Sequence, residues 1–178
     1  MSTSDYPVVL LIEQELTALD ATQVLGLHSG IGEGVRYVVL LPVEDAAGRV
    51  EAAMGALGSG EVIAPLAMEA DDFVELQHDL LNDARAALAA SLEALGAVGG
   101  TARGEVVSDD PVQALVDAVS AEKAQEAIVL TRPHVVAEFF HLDWTSRARR
   151  RLGVPVLHLL EHESFDEQAG QGEGISGL

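Results

Sequence analysis

The sequence predicts an α/β domain, an open and mostly parallel sheet with helices on both faces. Three observations carry this. Short continuous apolar runs rich in β-branched residues recur along the chain, the pattern of strands buried on both sides in a parallel sheet. Between them the apolar period changes to 3.6 residues, the repeat of a helix packed along one face. Helix start and stop signals mark the changes of period, so strands alternate with helices as in right-handed βαβ crossovers.

The first run is YPVVLLI at 6–12, and a helix is expected over about 15–27. VRYVVLLPV at 35–43 is the second strand. Residues 44–66 hold Gly48, Gly55, Gly58, Gly60 and Pro65 and read as an excursion with one short helix near 49–57. Phe73, Leu76, Leu80, Ala84, Ala87, Leu88, Ser91, Leu92 and Leu95 then form one helical stripe over about 69–95, ended by Gly96. TARGEVV at 101–107 is less apolar and more interrupted, which suits an edge strand with one wet face. Asp110 followed by Pro111 reads as an N-cap and first helical residue, after which Val112, Leu115, Val116 and Val119 share a face. AIVL at 127–130 and VPVLHLL at 154–160 are the last strands, with a helix over about 135–152 between them, closed by Gly153. Residues 1–162 form one domain on this reading, and the acidic, glycine-rich 163–178 is expected to be a disordered tail.

Composition narrows the function. A chain of 178 residues, 48% hydrophobic, can bury a core, and no apolar run reaches the roughly 18–20 residues of a membrane span. Met1–Asp5 is polar and lacks Lys or Arg, so no signal peptide and a cytoplasmic location are expected. With no cysteine, disulfides, thiol nucleophiles and Cys-ligated zinc are excluded. Ten Lys and Arg against 29 Asp and Glu give a net charge of −19, a field that repels nucleic acid and anionic lipid.

The segments GEVVSDDPVQALVDAVSAEKAQEAIVLTRP (104–133) and SRARRRLGVPVLHL (146–159), with the order of elements over 6–160, resemble the universal stress protein family. The resemblance implies five parallel strands in the order 3-2-1-4-5, and a homodimer paired through the 154–160 edge strand. It also implies a ligand site after strands 1 and 4, where ATP-binding members carry an acidic Asp-Gly-Ser-like turn and a glycine-rich phosphate loop. Here Glu13 keeps the acid, but Gln14 and Glu15 replace the small residues, and no glycine lies between Glu126 and Arg151. Pro133 lacks an N–H donor, Phe139 and Phe140 fill space, and Asp143 stands where phosphate charge would fall. Two unit charges at about 4 Å in a moderately screened site repel by about 4 kcal/mol, which offsets a charge-assisted hydrogen bond. ATP or AMP held in the usual family manner is therefore disfavoured, and no cofactor is expected.

Candidate ligand residues are Glu13, Thr131, Arg132, His134, Asp143 and Thr145, around the point where such sheets bind ligands. Arg132 with Arg147, Arg149, Arg150 and Arg151 makes up half of the ten cations, and Arg147 and Arg151 share a helical face as anion-binding candidates. Arg132 can equally pair with Glu13 or Asp143, and the arginine helix can simply balance its own C-terminus. His134, Glu138 and His141 share a helical face at i, i+4, i+7, a spacing that permits a metal but matches no zinc signature. Asp143, Trp144, Thr145 and Ser146 also read as a helix N-cap region. No GxSxG elbow, GxxxxGK(S/T) loop or GxGxxG turn follows a strand, so a hydrolase, kinase or dehydrogenase of standard type is not expected. Three readings stay open: a non-enzymatic regulatory homodimer with a small-molecule or protein partner, a nucleotide- or phosphate-binding protein using the arginines, and a metal-dependent enzyme.

Overall fold

The structure is a computed structural model that describes residues 5–31, 34–43, 70–108, 110–131 and 151–160. Its elements are β1 (Tyr6–Ile12), α1 (Ala18–Leu27), β2 (Val35–Pro42), α2 (Ala70–Ala97), β3 (Thr101–Val107), α3 (Pro111–Glu122), β4 (Glu126–Thr131) and β5 (Val156–Leu160). The five strands form one sheet in the order β3-β2-β1-β4-β5, and every pairing is parallel. The 3-2-1-4-5 order that the resemblance implied is therefore present, with β3 and β5 at the edges.

Alternation along each strand sends side chains into two separate cores. Val8, Leu10, Ile12, Tyr37, Val39 and Ile128 pack beneath α1 and α2 with Val24, Leu88 and Leu95. Val9, Leu11, Val38, Leu40 and Val129 pack on the opposite face with Leu115 and Val119 of α3 and with Leu152. Burying a Leu, Ile or Val side chain stabilises a fold by about 1.5–3 kcal/mol, so these two layers dominate the fold's energetics. No helix among the described residues is long and apolar enough to cross a membrane.

Two helix boundaries differ from the sequence expectation, and β5 starts at Val156 rather than Val154. α1 starts at Ala18 rather than near 15, because Thr17 is its N-cap: the Thr17 side chain accepts from the Asp20 N–H while the Asp20 side chain takes the Thr17 N–H. α2 runs through Gly96 to Ala97, and Gly99 is the residue that ends it, with φ of 90° and the Gly100 N–H reaching back to the Leu95 carbonyl. Asp110 caps α3 with Pro111 at its first position, as expected. The excursion at 44–66, most of the 135–152 helix and the 163–178 tail lie outside the described residues.

Gly104 explains the interrupted look of β3. A Cβ there would stand 2.7 Å from the Val39 carbonyl oxygen and 2.8 Å from Leu88 Cδ1, so glycine lets α2 lie close over the edge strand. Gly104→Ala is expected to lower stability by about 1–3 kcal/mol through overpacking, seen as a lower urea midpoint. An unchanged midpoint would show that α2 can lift away without penalty.

Candidate functional site

In this strand order the chain passes from β1 outward to β2 and β3, then returns past β1 to β4. The carboxyl ends of β1 and β4 thus flank the switch point, where open α/β sheets bind ligands. Glu13 follows β1 directly, and its N–H bonds the Leu130 carbonyl of β4 at 3.2 Å. Glu13 and Gln14 are half-buried and Glu15 is exposed.

The connection from Glu13 to Thr17 is held at its far end by α2. The buried Leu16 N–H donates to Ser91 Oγ at 2.9 Å, and the Ser91 hydroxyl donates to the Ala87 carbonyl at 2.8 Å. Ser91 is wholly buried, so this one polar residue in the apolar stripe satisfies an N–H that would otherwise be orphaned. At the N-terminus of α1, the Asp20 carboxylate takes both the Thr17 N–H at 2.8 Å and the Thr17 hydroxyl at 2.6 Å. The end of a helix that could receive an external anion already holds an internal one.

Beside this loop lies a cavity of about 160 Å³ between β1, β2 and α2. Leu41, Pro42, Leu80 and Ala84 give it an apolar wall, and Glu13, Glu15 and Asp83 contribute carboxylates to its lining. Its described lining is thus acidic and apolar together.

Thr131 ends β4 and is buried, with Oγ1 2.7 Å from Nε2 of His158 on the neighbouring β5. Burial pushes the His158 ring below the ordinary histidine range. Arg151 is exposed at the end of the last helix, three residues before Val154 leads into β5. It therefore stands where the strands begin, roughly 20 Å along the strand direction from Glu13 and Thr131. The structure brings Glu13 and Thr131 to one end of the sheet and leaves Arg151 at the other. Arg132, His134, Glu138, His141, Asp143, Thr145 and Arg147 lie outside the described residues. Among the described residues no group of three His, Asp or Glu is arranged to hold a metal.

Sequence reasoning missed Asp20, Asp83 and His158, and placed Ser91 only as a stripe residue. Thr17 and Asp20 three residues apart carry a capping-box signal, and a serine in an apolar stripe is itself a sign of a buried hydrogen bond.

No family model matches the sequence, and no curated protein matches it. Solved structures do match it in fold. A universal stress protein family protein from Arabidopsis thaliana with AMP bound shares 9% identity over 91% of this chain and 94% of its own, at a TM-score of 0.52. A universal stress protein in complex with cAMP shares 18% identity over 88% and 98%, at 0.50. A hypothetical protein whose biochemical function was assigned from its structure shares 14% over 89% and 98%, at 0.55. The chain has the universal stress protein fold.

His158 gives the site a pH signature. The unfolded ring takes its proton near pH 6.5, at about the ordinary histidine value, whereas the folded ring resists it. Its contribution is thus complete above that pH and declines as pH falls below it. Denaturation midpoints measured between pH 7 and pH 5 should drop, and His158→Asn should flatten that part of the drop. Equal slopes in both proteins would remove His158 from the account.

Proposed function

We propose that this chain is a non-enzymatic regulatory or binding protein of the universal stress type, cytoplasmic and homodimeric, that does not hold ATP in the usual family manner. The observation that carries this reading is the chemistry at the end of β1. Glu13, Gln14 and Glu15 stand where a small phosphate-tolerant turn would be, and the N-terminus of α1 already carries the Asp20 carboxylate, which accepts the Thr17 N–H and hydroxyl. The adjoining cavity of about 160 Å³ is below the roughly 300–1,000 Å³ of pockets for drug-sized ligands, and three carboxylates line it.

The AMP- and cAMP-bound structures of the same fold favour a second reading, a nucleotide or phosphate ligand held by Arg132 and the 147–151 arginines. Calorimetric titration of the purified protein with ATP, AMP and inorganic phosphate separates the two. The expected result is no binding tighter than about millimolar, or about −4 kcal/mol. Micromolar affinity for a nucleotide, lost in Arg132→Ala, would replace the first reading by the second.

Homodimerisation is supported by the edge position of β5, which pairs with β4 on one side and carries Leu157 at 39% exposure. An apolar edge strand requires a cover, and a second copy of itself is the twofold solution. Light scattering should give twice the chain mass for the wild type and the chain mass for Leu157→Lys. A wild type that stays monomeric at tens of micromolar would rule this interface out.

A further inference from the structure

The outer edge of β3 is a surface that neither the cores nor the crevice uses. β3 ends the sheet, and among the described residues it pairs with β2 alone. The Val43 N–H bonds the Val107 carbonyl at 2.8 Å, so the main-chain groups of Val107 turn inward to β2. Main-chain direction alternates along a strand, so the groups of Arg103 and Glu105 turn inward as well. Those of Ala102, Gly104 and Val106 face outward. The side chains divide in the same rhythm: Arg103 and Glu105 are exposed on one face, while Ala102 and Val106 pack on the α2 side.

We propose that this edge pairs with the same edge of a second copy of the chain, antiparallel about a twofold axis at Gly104. The strand TARGEVV is complementary to itself about that glycine. In this register Arg103 of each copy lies opposite Glu105 of the other, Ala102 lies opposite Val106, and no side chain stands on the axis. A twofold contact requires such reciprocity. The hydrogen-bond parity agrees independently. The outward groups of Ala102, Gly104 and Val106 fall at the hydrogen-bonded positions, and Arg103 and Glu105 fall between them, where cross-strand side chains come closest. Moving the axis by one residue sets Arg103 against Arg103 or Glu105 against Glu105, so charge selects the register.

The surroundings leave these two side chains able to turn outward. A cavity of about 470 Å³ between β3 and α3 is lined by both, together with Ala114, Ala118 and Ala121. Arg103 bonds Glu122 through one nitrogen, and a guanidinium has further donors for a second carboxylate. Charged residues on an edge strand commonly keep other strands away. Here the two signs alternate, so they repel other registers and admit this one. Repulsion between the distant charges of two acidic chains is screened beyond about 8 Å at physiological ionic strength. Ala102 and Val106 add little apolar area, so this pairing is weaker than one through β5. It uses the opposite edge of the sheet and stands without the β5 dimer.

The test compares ¹⁵N-labelled wild-type protein at about 50 μM and about 1 mM chain, a range that spans weak association. Amide exchange at Ala102, Gly104 and Val106 should slow about twofold or more at the higher concentration, while the inward amides of Arg103 and Glu105 hold. Glu105→Arg replaces two unlike pairs by two like ones at an exposed position, and should weaken the association about tenfold or more. Mixing it with Arg103→Glu sets unlike charges opposite again and should restore pairing between the two variants. Light scattering of Leu157→Lys over the same range should rise from one chain mass toward two. Outward amides that ignore concentration, or association undiminished in Glu105→Arg, would overturn the pairing.

Discussion

The two-sided burial of β1 is the constraint on which the structure depends. Val8 to Ile12 are at most 4% exposed, and the strand bonds β2 along one edge and β4 along the other. Such a strand must be apolar on both faces, which the run PVVLLI is, and both cores meet through it. The sheet also changes its direction of growth here, so the end of β1 opens into the crevice that the topology dictates. The residues just beyond Ile12 therefore border that crevice, and they are three polar side chains, Glu13, Gln14 and Glu15.

The helix after that loop has ends with opposite electrostatic tasks. At its N-terminus the Thr17 hydroxyl accepts the Asp20 N–H, and the carboxylate of Asp20, a residue 2% exposed, accepts the Thr17 N–H in return. A second anion about 4 Å away would meet roughly 4 kcal/mol of repulsion at moderate screening, more than a single hydrogen bond of about 0.5–3 kcal/mol returns. At its C-terminus the carbonyls need a donor, and His28 supplies one from its side chain. Each end is completed from within the chain, which fixes α1 on the sheet without help from a ligand.

Much of this architecture is legible in the sequence because it rests on patterns of period and punctuation. β1, β2 and the Asp110–Pro111 helix start are written in local residue types, and the first turn of α1 can be read from Thr17 and Asp20. The hidden part depends on distant pairing. Ser91 and Leu16 are 75 residues apart, and His28 and Glu126 are 98 apart, so no window of sequence brings them together. The end of α2 lies beyond Gly96 for a related reason: glycine is tolerated inside a helix, and only the fold shows which glycine takes positive φ. The candidate ligand residues are legible as types after β1 and β4, but the placing of Arg151 at the far end of the sheet requires the topology.

The described charges divide between the two ends of the sheet, and that division bears on what the crevice accepts. Arg36 near the start of β2 bonds Asp5 and Glu122, and Arg103 of β3 pairs with the same Glu122. These contacts raise the Arg36 guanidinium and hold both carboxyls below their usual range, so the cations near the strand starts are engaged in joining β2 and β3 to α3. Arg151 stands at that end too. Around the crevice the described charges are Glu13, Glu15 and Asp83. On a chain of net charge −19 the described part of the crevice is acidic as well. A neutral or cationic group could approach without opposition, whereas a polyphosphate would first have to bring its own counterions or find them in Arg132. Among the described residues the charges beside the crevice are thus acidic, in keeping with the proposal that ATP is not held in the usual family manner.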